Sequence, residues 1–486
     1  MSVGMESMLN ELRTESRSPS RFTGRRVHFI GIGGCGMSGL AHMLVDSGAV
    51  VTGSEPNPNP QTFDLSQRGA KISRDQLGQL LSRDIDLVVR TAAIPESNTE
   101  YQAARALGLK QIKYAELLGE VMQERFGVAV SGTHGKSTTT AMIAHALLQC
   151  GADPSFVVGG TVPQLGGGSR SGSGKAFIVE ACEFARSFHH LFPRVALITN
   201  IEEDHLDCYK NIDEIVESFR VFAGRVPADG LIIANGDDPR VIEALAGITT
   251  PIQFIRMQAA EAGTPASGGA FSSAWTALDR ATRGGCHGGI IYHNGNPVAE
   301  LQLSVPGLHN LFNATMAIAA CAACGIDPQP AASAIGSFSG VDRRTTEVGR
   351  RNGAIVVDDY GHHPTEIRAT LKALREKYQP KRLICVFQPH QHSRTRFLLE
   401  DFARSFEGAD ETIVPDIYFV RDSESERSRV SAIDLVERVI GHGQRALHLP
   451  DFRSIVEYLR RELREGDVVV TMGAGNVWEI GRDLVA

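Results

Sequence analysis

Within the stretch "RRVHFIGIGGCGMSGLAHMLVDSG", residues 25–48, Gly31, Gly33 and Gly36 stand at G-x-G-x-x-G spacing between an apolar run, Val27 to Ile30, and a helical stretch ending at Gly48. No other feature narrows the fold as far. A strand running into this loop and then a helix opens a doubly wound α/β unit, with bare helix amides turned toward a diphosphate. The glycines specify a backbone rather than a cofactor. A nicotinamide or flavin dinucleotide and some other diphosphate ligand satisfy them equally.

About one hundred residues on, the strand Val128–Val130 enters "VSGTHGKSTTT" and then an apolar helix with Gly151 at its end. Gly132 and Gly135, with Thr133 and His134 between them, let backbone amides face an anion. Lys136 bridges terminal phosphates, and Ser137, followed by Thr138, offers a hydroxyl to Mg²⁺. Val130 stands where the strict phosphate-loop pattern has its first glycine. The loop reads as an ATP site. A dehydrogenase would use the first loop and leave this one idle.

At 486 residues the chain is long enough for about three domains. Strands alternate with helices throughout, which predicts an α/β protein with parallel sheets. The expected organisation is a disordered tail over 1–24, a Rossmann-like domain over 25–123, a phosphate-loop central domain over 124–341 and a second Rossmann-like domain over 342–486. Residues 257–289 are rich in Gly, Ala and Ser, and Asn294–Gly295 is a hairpin turn. An antiparallel excursion is therefore expected in the central domain.

A net charge of −7 argues against a nucleic-acid partner. No apolar run reaches the roughly 18 residues of a membrane span, and no secretion signal precedes the first strand. The eight cysteines then read as reduced thiols of a cytoplasmic protein. Cys321 and Cys324, in an apolar helix, read as core packing.

The strands after the second loop end in acidic and imidazole groups: Glu180 and Glu183, then Glu202, Glu203, Asp204, His205 and Asp207. Carboxylates at strand ends suit Mg²⁺ held with substrate phosphates. Glu202, Glu203 and Asp204 read as surface charges. Farther along, Asp358, Asp359, His362, His363, His390 and His392 are dense enough to suggest a transition-metal site, although Arg394 would repel a cation there.

The pieces "HFIGIGGCGMSGLA", "SGTHGKSTTT", "VEACE", "TNIEEDHLD", "VPGLHNLFNATMAIA", "GVDRRTTEVG", "DDYGHHPTEI", "FQPHQHSRT" and "GAGNVWEI" occur in the order and spacing of a Mur ligase. From about residue 25 to the end, the chain resembles that family. The resemblance implies three domains holding a UDP-sugar, ATP and an amino acid in turn. It implies ATP-dependent amide formation between UDP-N-acetylmuramate and L-alanine through an acyl phosphate, by a monomer or homodimer. The first loop would then take the UDP-sugar through Gly31, Gly33, Gly34, Gly36, Met37 and Glu55. Ser137, Glu180 and His205 would be ligands of Mg²⁺ or Mn²⁺, with Glu183 second. Asn310, supported by His309 and Asn313, would meet the adenine. Arg343 or Arg344 would reach a phosphate or, equally, form interdomain salt bridges. His362 would position the amine or take its proton. Arg394, helped by His390, would bind the amino-acid carboxylate beside Asp359 and Tyr360. His363 and His392 are open to a structural or a catalytic role, and Arg396 to a surface one.

Three positions depart from the family pattern: Glu55 stands for Asp, Ala185 for an acidic residue and Gln391 for Arg. The last leaves the amino-acid site one cation short, so glycine or serine competes with alanine. A ligase attaching a recycled peptide, a nicotinamide oxidoreductase and an idle nucleotide-sugar sensor are the competing readings.

Overall fold

Short runs of Val, Ile and Phe buried on both faces build the centre of each sheet, as parallel strands covered by helices require. The computed structural model describes residues 12, 20–91, 94–259 and 274–486. Among them there are three sheets. The first is parallel, in the order Lys71–Ser73, Val50–Ser54, Arg26–Ile30, Leu87–Arg90, Gln111–Lys113. Its central strand carries the first glycine loop and feeds the helix Cys35–Asp46.

The second sheet has ten strands. Phe126–Ser131 lies between Val195–Ile198 and Ala176–Glu180, parallel to both, so the second loop leaves the sheet where the strand order reverses. The antiparallel excursion is present. Cys286–His293 pairs antiparallel with Ala274–Arg283 and with Asn296–Gln302, and Asn294 and Gly295 take φ of 53° and 79° at the turn. The third sheet has six strands, five of them parallel with an antiparallel edge strand, Thr346–Arg351. That edge strand departs from the all-parallel third sheet expected.

One hydrophobic cluster runs from the first domain into the second, through Leu117, Leu118 and Val121 to Phe188 and Phe219. The approach is close: a Cβ on Gly119 would stand 1.9 Å from His190 O. Most of the expected tail lies outside the described residues, but its last residues pack. Phe22 is 1% exposed, and Ser20 Oγ and Arg21 N donate to Glu124 at 2.7 and 2.8 Å. None of the eight cysteines is paired; Cys321 is fully buried and Cys324 partly so.

Candidate functional site

The first loop is built differently from the sequence expectation. Glu55, at the end of Val50–Ser54, accepts Gly33 N through Oε2 at 3.0 Å, so a carboxylate already caps that amide. Gly36 serves packing, since a Cβ there would lie 2.5 Å from the Tyr114 hydroxyl. Met37 is in the core, 1% exposed, and is not turned to a ligand as expected. Gly31 (φ 77°) and Gly34, the helix N-cap, keep their backbone at the loop surface.

In the second loop Gly132 has φ 133°, and a Cβ there would stand 1.9 Å from Thr199 Oγ1. Only glycine fits. Asn200 Oδ1 accepts the His134 amide at 2.8 Å, and Thr133 Oγ1 accepts Glu202 N at 2.8 Å, which pins the loop to the neighbouring strand end. Lys136 Nζ donates to Thr133 O and to Glu183 Oε1, each at 3.0 Å. Desolvation opposes the charge on Lys136, but Glu183 outweighs it and raises the ammonium above its ordinary value. Glu183 is 3% exposed, and its Oε2 has no hydrogen-bond partner. Glu180 Oε2 instead accepts Gly159 N at 2.7 Å.

A cavity of about 230 Å³ opens beside this loop, lined by Gly135, Ser137 and Thr138, by Val305, His309, Asn310 and Phe312, and by Arg344, Thr365, Glu366 and Thr370 of the third domain. Its mixed apolar and polar wall suits a purine and its phosphates. Asn310 lines it while its Nδ2 donates to Pro306 O at 2.7 Å. Asn313 is 5% exposed and donates to Asn310 Oδ1 at 3.2 Å. Arg343, expected at the phosphate, is held away by Asp358 at 3.0 Å and Gly473 O at 2.8 Å. Arg344 takes the cavity position and pairs with Glu366 at 3.3 Å. Glu366 was not singled out from sequence, and Arg344 was named there only as the alternative to Arg343. The i, i+4 spacing of His362 and Glu366 was the available signal for the former.

Glu202 and Asp204 are not surface charges. Glu202 accepts the Thr365 hydroxyl at 2.6 Å and stands 3.6 Å from His134 Nε2. Burial works against charge on both members of that pair, but Glu202 with Glu366 raises His134 to about 9, and His134 with Thr365 lowers Glu202 to about 2. Asp204, 7% exposed, accepts Arg394 Nη2 and Nε on Oδ1 at 2.8 and 3.1 Å. Despite its burial, Arg394 holds Asp204 well below the usual carboxylate range. His205 (φ 53°) places Nε2 3.8 Å from Glu183 Oε1 and 3.8 Å from Asp204 Oδ2.

Arg394 also donates to His390 Nδ1 at 3.2 Å. Burial and this cation push His390 down to about 3, while burial pushes His362 down to about 4. His362 Nδ1 sits 3.2 Å from Tyr360 O, leaving Nε2 as its acceptor. Asp359 is spent on local structure, accepting Thr345 N and Gly361 N at 2.7 Å each. Asp358 serves Arg343 and Thr471, and His392 Nδ1 lies 3.9 Å from Asp422. The proposed histidine-rich metal site therefore does not assemble. Arg396 pairs with Glu426 at 3.1 Å. A small hollow of about 10 Å³ beside Arg394 is lined by Leu206, Ser393 and Gln391, whose Nε2 is buried with no hydrogen-bond partner.

Family models match the chain in three consecutive parts: "Mur ligase family, catalytic domain" over residues 26–126, "Mur ligase middle domain" over 130–321 and "Mur ligase, glutamate ligase domain" over 343–475. The chain is 43% identical over 463 residues to the UDP-N-acetylmuramate–L-alanine ligase of Caldanaerobacter subterraneus, covering 95% of this chain and 97% of that one. It is 40% identical over 465 residues to the corresponding ligase of Acetivibrio thermocellus, covering 95% and 96%. Among solved structures, the UDP-N-acetylmuramate–alanine ligase of Thermotoga maritima superposes with a TM-score of 0.73 at 26% identity, covering 95% of this chain and 98% of the other. A murein peptide ligase from Psychrobacter arcticus superposes with a TM-score of 0.65 at 27% identity, covering 95% and 98%.

Proposed function

The chain belongs to the Mur ligase family, and from that premise we propose that it joins L-alanine to UDP-N-acetylmuramate at the expense of ATP, in peptidoglycan precursor synthesis. One observation carries the reading beyond the family. His205 Nε2 stands 3.8 Å from the carboxylate that holds Lys136 and 3.8 Å from the carboxylate that holds Arg394. The carboxylates that hold the proposed phosphate-binding and amino-acid-binding cations thus flank a single histidine.

The chemistry follows in two steps. A carboxylate oxygen of the sugar nucleotide attacks the γ-phosphorus of ATP, and ADP leaves. Lys136 and the loop amides offset the negative charge gathered there. The amine of alanine then attacks the acyl carbon, and phosphate leaves with the bonding electrons. Arg394 holds the alanine carboxylate. His362, neutral at working pH and with Nε2 free to accept, orients the attacking amine. A group at about 4 is too weak a base to retain its proton. An α-amino group near 7.7–8.0 needs little help to lose it.

The residues suit Mg²⁺. Glu183 offers a buried carboxylate oxygen without a protein partner, and Ser137 adds a hydroxyl, with Glu180 and His205 as further donors. The ion would supply charge neutralisation at the transferred phosphoryl group. The proposed location is the cytoplasm, whose reducing conditions suit the eight unpaired cysteines. Among the described residues no helix is long and apolar enough to cross a membrane.

The test is phosphate release with UDP-N-acetylmuramate, Mg²⁺ and ATP, screened over the proteinogenic amino acids and a murein tripeptide. Release is expected to require all components and to be fastest with alanine. Faster release with the tripeptide would assign the chain to peptide recycling instead.

A further inference from the structure

His134, Glu202 and His363 each bring one ligand atom into a cluster in which the three atoms lie within 4.8 Å of one another. His134 comes from the phosphate loop, Glu202 follows the strand Val195–Ile198, and His363 is the N-cap of the helix Pro364–Tyr378. Glu202 Oε2 is 3.6 Å from His134 Nε2 and 3.6 Å from His363 Nδ1. Those separations are too long for hydrogen bonds. They match two donors sharing one ion, since atoms ~2.1 Å from a tetrahedral zinc stand about 3.4 Å apart.

The outer atoms are already oriented. His363 Nε2 lies 3.1 Å from Glu203 O, so it carries the hydrogen and leaves the lone pair on Nδ1. That lone pair takes only a long bond from Thr365 N, at 3.3 Å. His134 Nδ1 lies 3.3 Å from Glu366 Oε1, and its Nε2, buried with no hydrogen-bond partner, would bind an ion by giving up the proton that Glu202 and Glu366 favour on this ring. Glu202 Oε2 is steadied by the Thr365 hydroxyl at 2.6 Å. Histidines whose far nitrogen is held by a carboxylate or carbonyl are the usual arrangement around a bound metal.

We propose that His134, Glu202 and His363 form a site for one borderline transition-metal cation, zinc or cobalt, that ties the phosphate loop to the C-terminal domain. Two imidazoles and one carboxylate select such an ion over Mg²⁺, which wants oxygen donors. Three protein ligands leave a fourth position open. His134 and Glu202 also line the large cavity, so the bound ion stands at its wall and binds both domains to one centre. This site goes beyond the ligase reading and does not depend on it.

The test is titration of the full-length, chelator-treated protein with Co²⁺, read by the visible absorption of a tetrahedral cobalt centre, with bound Zn²⁺ counted by elemental analysis after dialysis. One ion per chain is expected at micromolar metal. Glu202→Gln and His363→Gln are each expected to weaken binding tenfold or more, and Glu183→Gln to leave it unchanged. A thermal shift on zinc addition, present in the parent and absent in H363Q, is the second readout. If H363Q does not fold, E202Q carries the same comparison. Loss of binding in E183Q but not in E202Q or H363Q would move the ion to the phosphate site and overturn the proposal, as would absence of the cobalt spectrum in the parent protein.

Discussion

Arg394 Nη2 stands 2.8 Å from Asp204 Oδ1, across a separation of 190 residues and between two different domains. Both side chains are less than one-tenth exposed. Breaking such a buried pair leaves an uncompensated charge and costs about 3 kcal/mol or more. Asp204→Asn is therefore expected to lower the melting temperature by several degrees. Differential scanning calorimetry checks it, and an unchanged melt would mean that water already screens the pair.

Lys136 is held by Glu183 and by a loop carbonyl at the start of the helix that follows the second loop, where the proposed reaction puts the transferred phosphate. Lys136→Ala removes a preorganised cation at the site of charge development, a loss of about 10²–10³ in kcat. Phosphate release measures it. A variant keeping full activity would refute the phosphoryl-transfer role of this loop.

His362 and His390 have folded values of about 4 and about 3, below the ~6.5 of an unfolded histidine. The native state thus binds fewer protons than the unfolded state between those limits. Their contribution to stability is full above ~6.5 and is lost as pH falls toward 4 and then 3. Urea midpoints measured from neutral pH down to about 4.5 are expected to fall. His390→Gln, which cannot titrate, should shrink the decline.

Gln391 offers a buried, unpartnered amide N–H₂ to the hollow beside Arg394 and Ser393. A hydrogen bond from it to an alanine carboxylate is worth about 1.5–3 kcal/mol. Gln391→Ala is expected to raise KM for alanine about ten- to hundredfold with kcat little changed. Steady-state kinetics with varied alanine decide this, and an equal fall in kcat alone would point to a structural role.

The sequence by itself determined the parts whose physics is local. Gly132 and Gly135 announce a loop with positive φ and outward amides, Lys136 and Ser137 follow at its helix start, and Asn294–Gly295 dictates a hairpin. Such features depend on a few consecutive dihedral angles, so contiguous residues suffice to read them. The glycine fingerprint at 31–36 was legible as a strand–loop–helix turn. That Gly36 makes room for Tyr114, and that Glu55 already caps Gly33 N, was not legible. Only the tertiary structure decided that Arg344 rather than Arg343 faces the cavity, that Glu366 lines it, and that Asp204 belongs to Arg394. Those choices are made where two domains meet. There, burial and charge pairing join residues as far apart in the chain as Asp204 and Arg394, and no local pattern records which partner each will find.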